Sequence, residues 1–295
     1  MIYRITHETI YDYLYDVSIS HNLAHLKARD CPSQTCLGHE LTFSVPPAIS
    51  GSQTDYFGNP VTYFTVQEPH KRLKVTAVNM VDIRAVIAPP AWQTPPWDSV
   101  RDGLLHARDL ETVDACQFTF DSPYVKTDEV LKTYATPSFP PGRPLLEALL
   151  DLTQRIHADF KFDPTATTTA TPLTEVLRLR RGVCQDFAHL EIGCLRSVGL
   201  AARYVSGYLE TDPPPGRVRL VGADASHAWL SVFCPGHGWI DVDPTNNQIP
   251  GDRHIILAWG RDYDDVSPLK GVILGGGGHQ LKVAVDVEPI LGSFA

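Results

Sequence analysis

The chain has 295 residues, of which 43% are hydrophobic and 20% are charged, so it can bury one large core or two modest ones. Its formal net charge of −9 argues against nucleic acid or an anionic membrane as a partner. The chain starts with no basic segment followed by an apolar run, and no stretch approaches the roughly 18 apolar residues of a membrane helix. We therefore expect a soluble, cytoplasmic protein.

The first hundred residues are predicted to form strands. Residues 40–45, 61–66 and 73–83 alternate apolar and polar side chains or are rich in β-branched and aromatic residues. Residues 87–100 then carry four prolines and two tryptophans. Because proline lacks the amide donor that a strand or helix interior requires, this segment is interpreted as an ordered linker. We expect a β-sandwich-like N-terminal domain over residues 1–100.

The hydrophobic period changes in the second half of the chain. Residues 143–160 and 173–181 have helical patterns, and Pro144 is placed for a first helical position. The order of two helices and then several strands favours an α+β core with an antiparallel sheet. Strands are predicted over residues 202–210, 226–234 and 238–245. The remaining divisions are an entry segment (101–142), a catalytic core (143–270) and a C-terminal strand that packs back on the protein (271–295).

The six cysteines stand at positions 31, 36, 116, 184, 194 and 234, and none of them forms a C-x-x-C pair. This density and spacing are unlike a disulfide framework or a structural zinc site. Cys31 and Cys36 are close enough in sequence to form a disulfide, but free thiols are the favoured interpretation. We expect no metal and no cofactor.

Cys184 follows the basic turn RLRRG and opens a predicted amphipathic helix that Gly199 is placed to end. The free backbone N–H groups and the dipole of a first helical turn favour negative charge, and the thiolate is the nucleophilic form of cysteine. From position alone, the alternative that Cys184 is a small buried side chain remains open. The buried face is predicted to contain Phe187, Leu190, Cys194, Leu195 and Val198.

A histidine and a carboxylate follow on a predicted β-hairpin around the turn CPGHG. If Phe233 pairs with Trp239, His227 and Asp243 share one face of the hairpin and are diagonal neighbours within side-chain reach. A slip of one residue would separate them. A thiol at a helix start, an imidazole and a carboxylate on neighbouring strands are the groups that nucleophilic acyl transfer requires.

The segments GVCQDFAHL, ARYVSGY, SHAWLSVF and GWIDVDPTNN resemble the transglutaminase-like superfamily of papain-like cysteine enzymes. YDYLYDVSISHNLAHLKAR, DYFGNPVTYFTV and GRDYDDVSP resemble bacterial members that have their own β-rich N-terminal domain. The resemblance implies a papain-like α+β fold, with Cys184 as nucleophile, His227 as general base and Asp243 as the carboxylate that orients the imidazole. It does not imply one reaction, because the superfamily includes cross-linkers, peptidases, amidases and deglycosylating hydrolases.

Cysteine-dependent hydrolysis of an amide bond in a peptide or protein, through a thioester, is the function that we predict. Transamidation, in which an amine resolves the thioester, and a catalytically silent binding scaffold remain alternatives. A metal site built on His227 and the acidic residues near position 264 is a weaker third. The oligomeric state is left open.

Several neighbouring residues are assigned supporting roles. Gln185 and Trp229 are candidates for contact with the substrate or the oxyanion, and the backbone amide of Cys184 is a candidate oxyanion donor. Asp186 is predicted to cap the helix, and His189 to pack in the core.

Two further segments are interpreted structurally. The acidic residues Asp262, Asp264 and Asp265 are predicted to form a capped turn, because they lack the regular spacing of a calcium loop. The proline-rich residues 211–219 are predicted to form a stiff loop near the rim of the cleft.

Overall fold

A computed structural model describes residues 1–84, 86–211 and 226–290, so that only Thr211 of the predicted loop over 211–219 lies within the described residues. The strands are β1 (Ile2–Ala24), β2 (Gln34–Phe43), β3 (Ile49–Thr54), β4 (Pro60–Val66), β5 (His70–Ile83), β6 (Lys161–Phe162), β7 (Arg181–Gly182), β8 (Ala202–Leu209), β9 (Ser226–Cys234), β10 (Gly238–Val242), β11 (His254–Gly260), β12 (Leu269–Gly275) and β13 (His279–Pro289). The α-helices are α1 (Trp97–Leu105), α2 (Leu110–Cys116), α3 (Glu129–Ala135), α4 (Leu145–Asp159), α5 (Leu173–Leu179), α6 (Cys184–Ser197) and α7 (Tyr263–Val266). This mixture of helices and antiparallel strands confirms the predicted α+β class.

The N-terminal region is a seven-stranded sheet built around β1, with the order β2-β5-β1-β4-β3 and with β12 and β13 also paired to β1. The first half of β1 pairs antiparallel with β5 and β13, and its second half pairs with β4 and β12. The β-rich character is therefore confirmed. The strands are linked into one sheet because β1, with 23 residues, is long enough to pair with four neighbours. The sheet folds over on itself, since Phe43 of β2 and Phe64 of β4 are not on adjacent strands and yet lie with ring centres 4.6 Å apart, in agreement with the predicted sandwich-like region.

The proline-rich segment and the entry segment contain helices. The helix α1 begins at Trp97, directly after Pro96, and the Trp97 indole donates a hydrogen bond to the carbonyl of Pro140 (2.8 Å). The side chains of Asp109 and Asp128 accept hydrogen bonds from backbone N–H groups in the first turns of α2 and α3, at 2.9 and 2.8 Å. Capped helices therefore occupy much of the stretch that we interpreted as an entry segment.

The helix α6 is the central element of the second half. Its predicted start at Cys184 is confirmed, and Gly199 follows its end with a φ of 87°. We expected an amphipathic helix, but every residue from Asp186 to Arg196 is buried. The reason is that α3, α4 and α5 pack around α6 while β8 and β9 cover another side. Neighbouring backbone carbonyls accept hydrogen bonds from the buried guanidinium of Arg196.

A four-stranded antiparallel sheet with the order β10-β9-β8-β11 carries the hairpin that the sequence predicted. Phe233 pairs with Trp239, so the predicted register is confirmed. The strand β11 was not predicted. Pro144 lies at the N-cap of α4 and not at its first helical position.

The N-terminal sheet and the second half of the chain share one apolar core, which includes Tyr3, Ile5 and Val287 together with residues of α4 and α6. Polar contacts also join them. The side chain of Gln34 donates to the carbonyl of Ile256 (2.6 Å), which belongs to β11. No helix within the described ranges is long and apolar enough to cross a membrane.

Candidate active site

The start of α6 is held in place by Asp186. Its Oδ2 accepts hydrogen bonds from the backbone N–H of Val183 (2.8 Å) and from the hydroxyl of Thr167 (2.6 Å). A Cβ at Gly182 would lie 2.6 Å from the same oxygen, so only glycine fits there. The predicted capping role of Asp186 is confirmed, and Cys184 is left half-buried on the first turn.

His227 and Asp243 form a direct contact. His227 lies near the start of β9 and Asp243 follows β10, and His227 Nε2 is 2.7 Å from Asp243 Oδ2. The carboxylate is fully buried. It accepts hydrogen bonds from the backbone N–H groups of Thr245 (2.9 Å) and Asn246 (3.2 Å) and from the Asn246 side-chain amide (2.7 Å). The local turn after β10 therefore fixes the carboxylate that faces the imidazole.

A second histidine approaches the same carboxylate. His254 Nε2, at the start of β11, is 3.2 Å from Asp243 Oδ2. We did not single out His254 from the sequence, where HIILAW drew attention only as an apolar run too short for a membrane. The feature that could have indicated a site residue is the histidine at the first position of this apolar run. Because β11 reaches the site only by pairing with β8, local patterns could not place it.

The nitrogen and oxygen atoms of His227, Asp243 and His254 all lie within 4.8 Å of one another and could hold a metal ion. Two imidazoles and a carboxylate are ligands that zinc accepts. The acidic residues that we considered as further metal ligands make other contacts. Asp262 caps α7 through the N–H of Asp264 (2.9 Å), and Asp265 binds Arg261.

Burial and hydrogen bonding determine the charges of the His227–Asp243 pair. Burial opposes charge on the imidazole, but hydrogen bonds with Asp243 and interaction with the Cys184 thiol outweigh it and raise the pKa of His227 to about 10. Burial also opposes charge on Asp243, but hydrogen bonds from His227, His254 and Asn246 keep the pKa of this carboxyl well below its ordinary value. An imidazolium facing a carboxylate is therefore favoured at neutral pH.

The three side chains of Cys184, His227 and Asp243 are thus brought together. The Cys184 thiol interacts with the imidazole of His227, whose Nε2 faces Asp243. A cysteine, an imidazole and a buried carboxylate in this order can generate a thiolate and shuttle a proton.

The two candidate substrate contacts differ. The side chain of Gln185, half-buried beside Cys184, makes no hydrogen bond within the part of the chain that the structure describes. Trp229 is fully buried, and its indole N–H donates to Asp241 Oδ2 (3.0 Å). Trp229 therefore forms a wall behind His227, with ring centres 5.9 Å apart, and its N–H is already engaged.

His189 packs in the core as predicted. Its Nε2 accepts a hydrogen bond from the backbone N–H of Tyr263 (3.1 Å), and its ring lies beside those of Tyr124 and Tyr204. Burial lowers the pKa of His189 to about 4. It is therefore neutral at pH 7 and engaged away from the thiol.

Comparisons with known proteins identify the family of the chain. Residues 3–82 match the bacterial transglutaminase-like N-terminal region, and residues 133–244 match the transglutaminase-like superfamily. An uncharacterised protein of Mycobacterium tuberculosis (strain H37Rv) is 43% identical over 98% of this chain and 93% of its own length. The chain belongs to the transglutaminase-like superfamily. The resemblance inferred from the sequence is confirmed.

Two further proteins extend the comparison. A protein-glutamine gamma-glutamyltransferase of Pseudomonas aeruginosa is 31% identical, over 37% of this chain and 19% of its own length. The crystal structure of a candidate cysteine protease from Cytophaga hutchinsonii superposes with a TM-score of 0.78 and 21% identity, covering 100% of this chain and 92% of that one. This likeness shows that the two chains share a fold.

Proposed function

We propose that the protein hydrolyses amide bonds in peptides or proteins, with Cys184 as nucleophile, His227 as general acid and base, and Asp243 as the orienting carboxylate. The observation that carries this proposal is the position of the His227 imidazole, which contacts a buried carboxylate on one side and interacts with a thiol at a helix start on the other. This is the pairing that activates a sulfur nucleophile.

In the first half of the reaction, the Cys184 thiolate attacks the carbonyl carbon of the amide and the carbonyl oxygen becomes an oxyanion. The backbone N–H of Cys184 and the free side-chain amide of Gln185 are the donors that we assign to it. The His227 imidazolium then gives its proton to the departing nitrogen, the C–N bond breaks, and a thioester remains.

In the second half, neutral His227 takes a proton from water, and the hydroxide attacks the thioester carbon. The C–S bond breaks, the thiolate and imidazolium return, and the acyl group leaves as a carboxylic acid. Asp243 stays ionised throughout and holds the ring in place. Transamidation differs only in the second half, where a primary amine replaces water.

One relative supports transamidation as a second candidate, because it is a protein-glutamine gamma-glutamyltransferase. We favour hydrolysis, since it needs only water as the acceptor. A library of fluorogenic peptide amides, assayed with and without an added primary amine, separates the two. Release of amine with free acid as the only acyl product supports hydrolysis, whereas acyl-amine product supports transfer.

The nucleophile is tested with an electrophilic peptide probe that labels activated thiols. Cys184→Ala should abolish labelling, and Cys36→Ala, which removes a half-buried thiol in β2, should leave it unchanged. If Cys184→Ala labels as strongly as the parent protein, the assignment is wrong. If the parent protein neither labels nor turns over any amide, a silent scaffold is favoured.

We also propose a cytoplasmic location. All six cysteines are free thiols, as the sequence predicted, and free thiols are typical of a reducing compartment. Fractionation of cells that produce the protein would test this location, and recovery outside the cytoplasm would contradict it.

A further inference from the structure

A second cavity lies behind the candidate active site. It has a volume of about 720 Å³, within the range of small-ligand pockets, and Trp229 and His254 line it. Cys184 and His227 do not line it, so it is separate from the proposed nucleophile. One wall comes from the N-terminal region and the other from the four-stranded sheet; the lining includes Cys31, Phe57, Ile83, Arg203, Trp239 and Trp259.

Arg203 is the notable polar residue of this cavity. Its side chain projects from the face of β8 that is opposite α6, and the residue is only 8% exposed. Its guanidinium carbon lies 4.2 Å from the ring centre of Trp239 and 3.8 Å from that of Trp259. Among the described residues, its Nε has no hydrogen-bond partner, and the guanidinium forms no ion pair.

Two carboxylates favour the Arg203 cation, and both accept hydrogen bonds from other groups. Asp114, which also lines the cavity, accepts one from the side-chain amide of Gln117 (2.9 Å). Asp241 attracts the guanidinium, but its two oxygens accept hydrogen bonds from the Trp229 indole and the Ser231 hydroxyl. Burial lowers the pKa of Arg203 to about 9. Stacking on indole rings offsets only part of the cost of burying a cation. A planar guanidinium is also the group that binds carboxylates through paired hydrogen bonds.

The apolar side chains around Arg203 determine what else the ligand must carry. Trp239, Ile240, Ile249 and Ile256 line the cavity with aromatic and branched aliphatic surface. An inorganic anion would leave this surface uncovered, whereas an apolar group attached to the anion would cover it.

We propose that this cavity is a second ligand site, which binds the carboxylate of an N-acylated apolar amino acid or of a peptide C terminus. The carboxylate pairs with Arg203, and the apolar side chain packs against the indole rings. Both ligands present a carboxylate beside an apolar side chain, and they differ in length. The N-terminal region then has a specific role, because it supplies one wall of the site.

The site is tested by calorimetric titration of the Cys184→Ala protein, in which the peptides cannot be cleaved. The probes are N-acetyl-L-leucine and Ala-Ala-Leu, each compared with its C-terminal amide. A hydrogen-bonded charge pair predicts that each acid binds at least about tenfold more tightly than its amide. Both acids should show this preference, and the tighter of the two indicates whether the natural ligand is a single N-acylated amino acid or a peptide.

Two matched variants locate the binding. A Cβ at Gly251, which lines the cavity, or at Gly278, in the β12–β13 loop, meets no atom within 4 Å, so tryptophan can be placed at either position. Gly251→Trp should weaken binding at least about tenfold, and Gly278→Trp should not change it. Arg203→Met should remove the preference for acid over amide, and its thermal unfolding shows whether the variant is folded.

Thiol labelling gives an independent readout. Cys31 lines the cavity and Cys36 does not, so the acid should slow maleimide labelling of Cys31 and leave the rate at Cys36 unchanged, as measured by peptide mass spectrometry. Equal binding of acid and amide, or unchanged binding in Gly251→Trp, would overturn the proposal. These readouts do not depend on catalysis, so the site and the proposed hydrolase activity can fail separately.

Discussion

The two faces of the four-stranded sheet are built from different side chains. The face toward α6 carries Ala202, Tyr204, Leu230 and Val232, all of them buried in the main apolar core. The opposite face carries polar groups at alternate positions: Arg203, Ser231 and Asp241, followed along the strands by His227 and Asp243. Successive residues of the same strands therefore place apolar side chains toward α6 and polar groups, interleaved with Val205 and Trp229, on the other side.

This difference between the faces indicates which substitutions should change the chemistry and which should change only the stability. The apolar face positions α6, and with it Cys184, through packing that any residues of similar shape could supply. The polar face depends on specific donors and acceptors, because a buried polar group that loses its partner is costly. Substitutions on the apolar face should therefore lower stability and leave the pH dependence intact, whereas those on the polar face should change the chemistry.

The largest expected effect is on the polar face. His227→Ala removes the proposed proton shuttle and should lower kcat/KM for a peptide amide by about 10⁴-fold. His106→Ala is the matched control, because His106 is exposed at the end of α1 and does not line the cavity at Arg203, and it should retain activity. Steady-state kinetics measure both, and a His227→Ala protein with more than a tenth of the parent activity would contradict the proposed mechanism.

An effect of intermediate size is expected on the apolar face. Leu230 is fully buried, and Leu230→Ala should lower the free energy of unfolding by about 3 kcal/mol because it leaves a cavity beneath α6. Urea denaturation measures the loss. The pH at which the activity of the folded variant is half-maximal should stay the same, and a shift in that pH would show that the two faces are not independent.

A smaller effect is expected at His254, which we treat as a positioning residue. His254→Phe removes the hydrogen bond to Asp243 while keeping a ring of similar shape, and it should lower kcat by about tenfold with KM unchanged. His254→Gln keeps a donor and should recover part of the loss. If both variants lower KM and kcat equally, or if neither changes kcat, His254 does not position the carboxylate.

Local patterns predicted the parts of the site that depend on local structure. The helix start at Cys184 followed from a glycine turn and helical periodicity, and the nearness of His227 to Asp243 followed from the pairing of Phe233 with Trp239 across a short turn. In both cases residues close in sequence determine the geometry. The fold class was therefore predictable, and the family followed from the resemblance of these segments to the transglutaminase-like superfamily.

The remainder depends on contacts between distant segments. His254 reaches Asp243 only because β11 pairs with β8, and α6 is buried on all sides because helices from separate segments surround it. The cavity at Arg203 requires the N-terminal region to lie against the four-stranded sheet. Alternation along one strand indicates which face a residue occupies but not what covers that face, so these features could not be predicted from the sequence.

The smallest expected effect tests the charge of the polar face through stability. The pKa of His227 is raised in the folded protein, so its contribution to stability is complete below its ordinary pKa of about 6.5 and is lost as the pH rises to about 10. Compared with His227→Gln, the parent protein should lose up to roughly 1 kcal/mol more of its unfolding free energy per pH unit within this window. Glu191, whose pKa burial raises to about 8, titrates in the same window in both proteins, so the difference between the two urea-denaturation curves isolates His227. Parallel curves from pH 6.5 to 10 would mean that the imidazole is not held in its charged form, and the polar face would then resemble the apolar one in its response to pH.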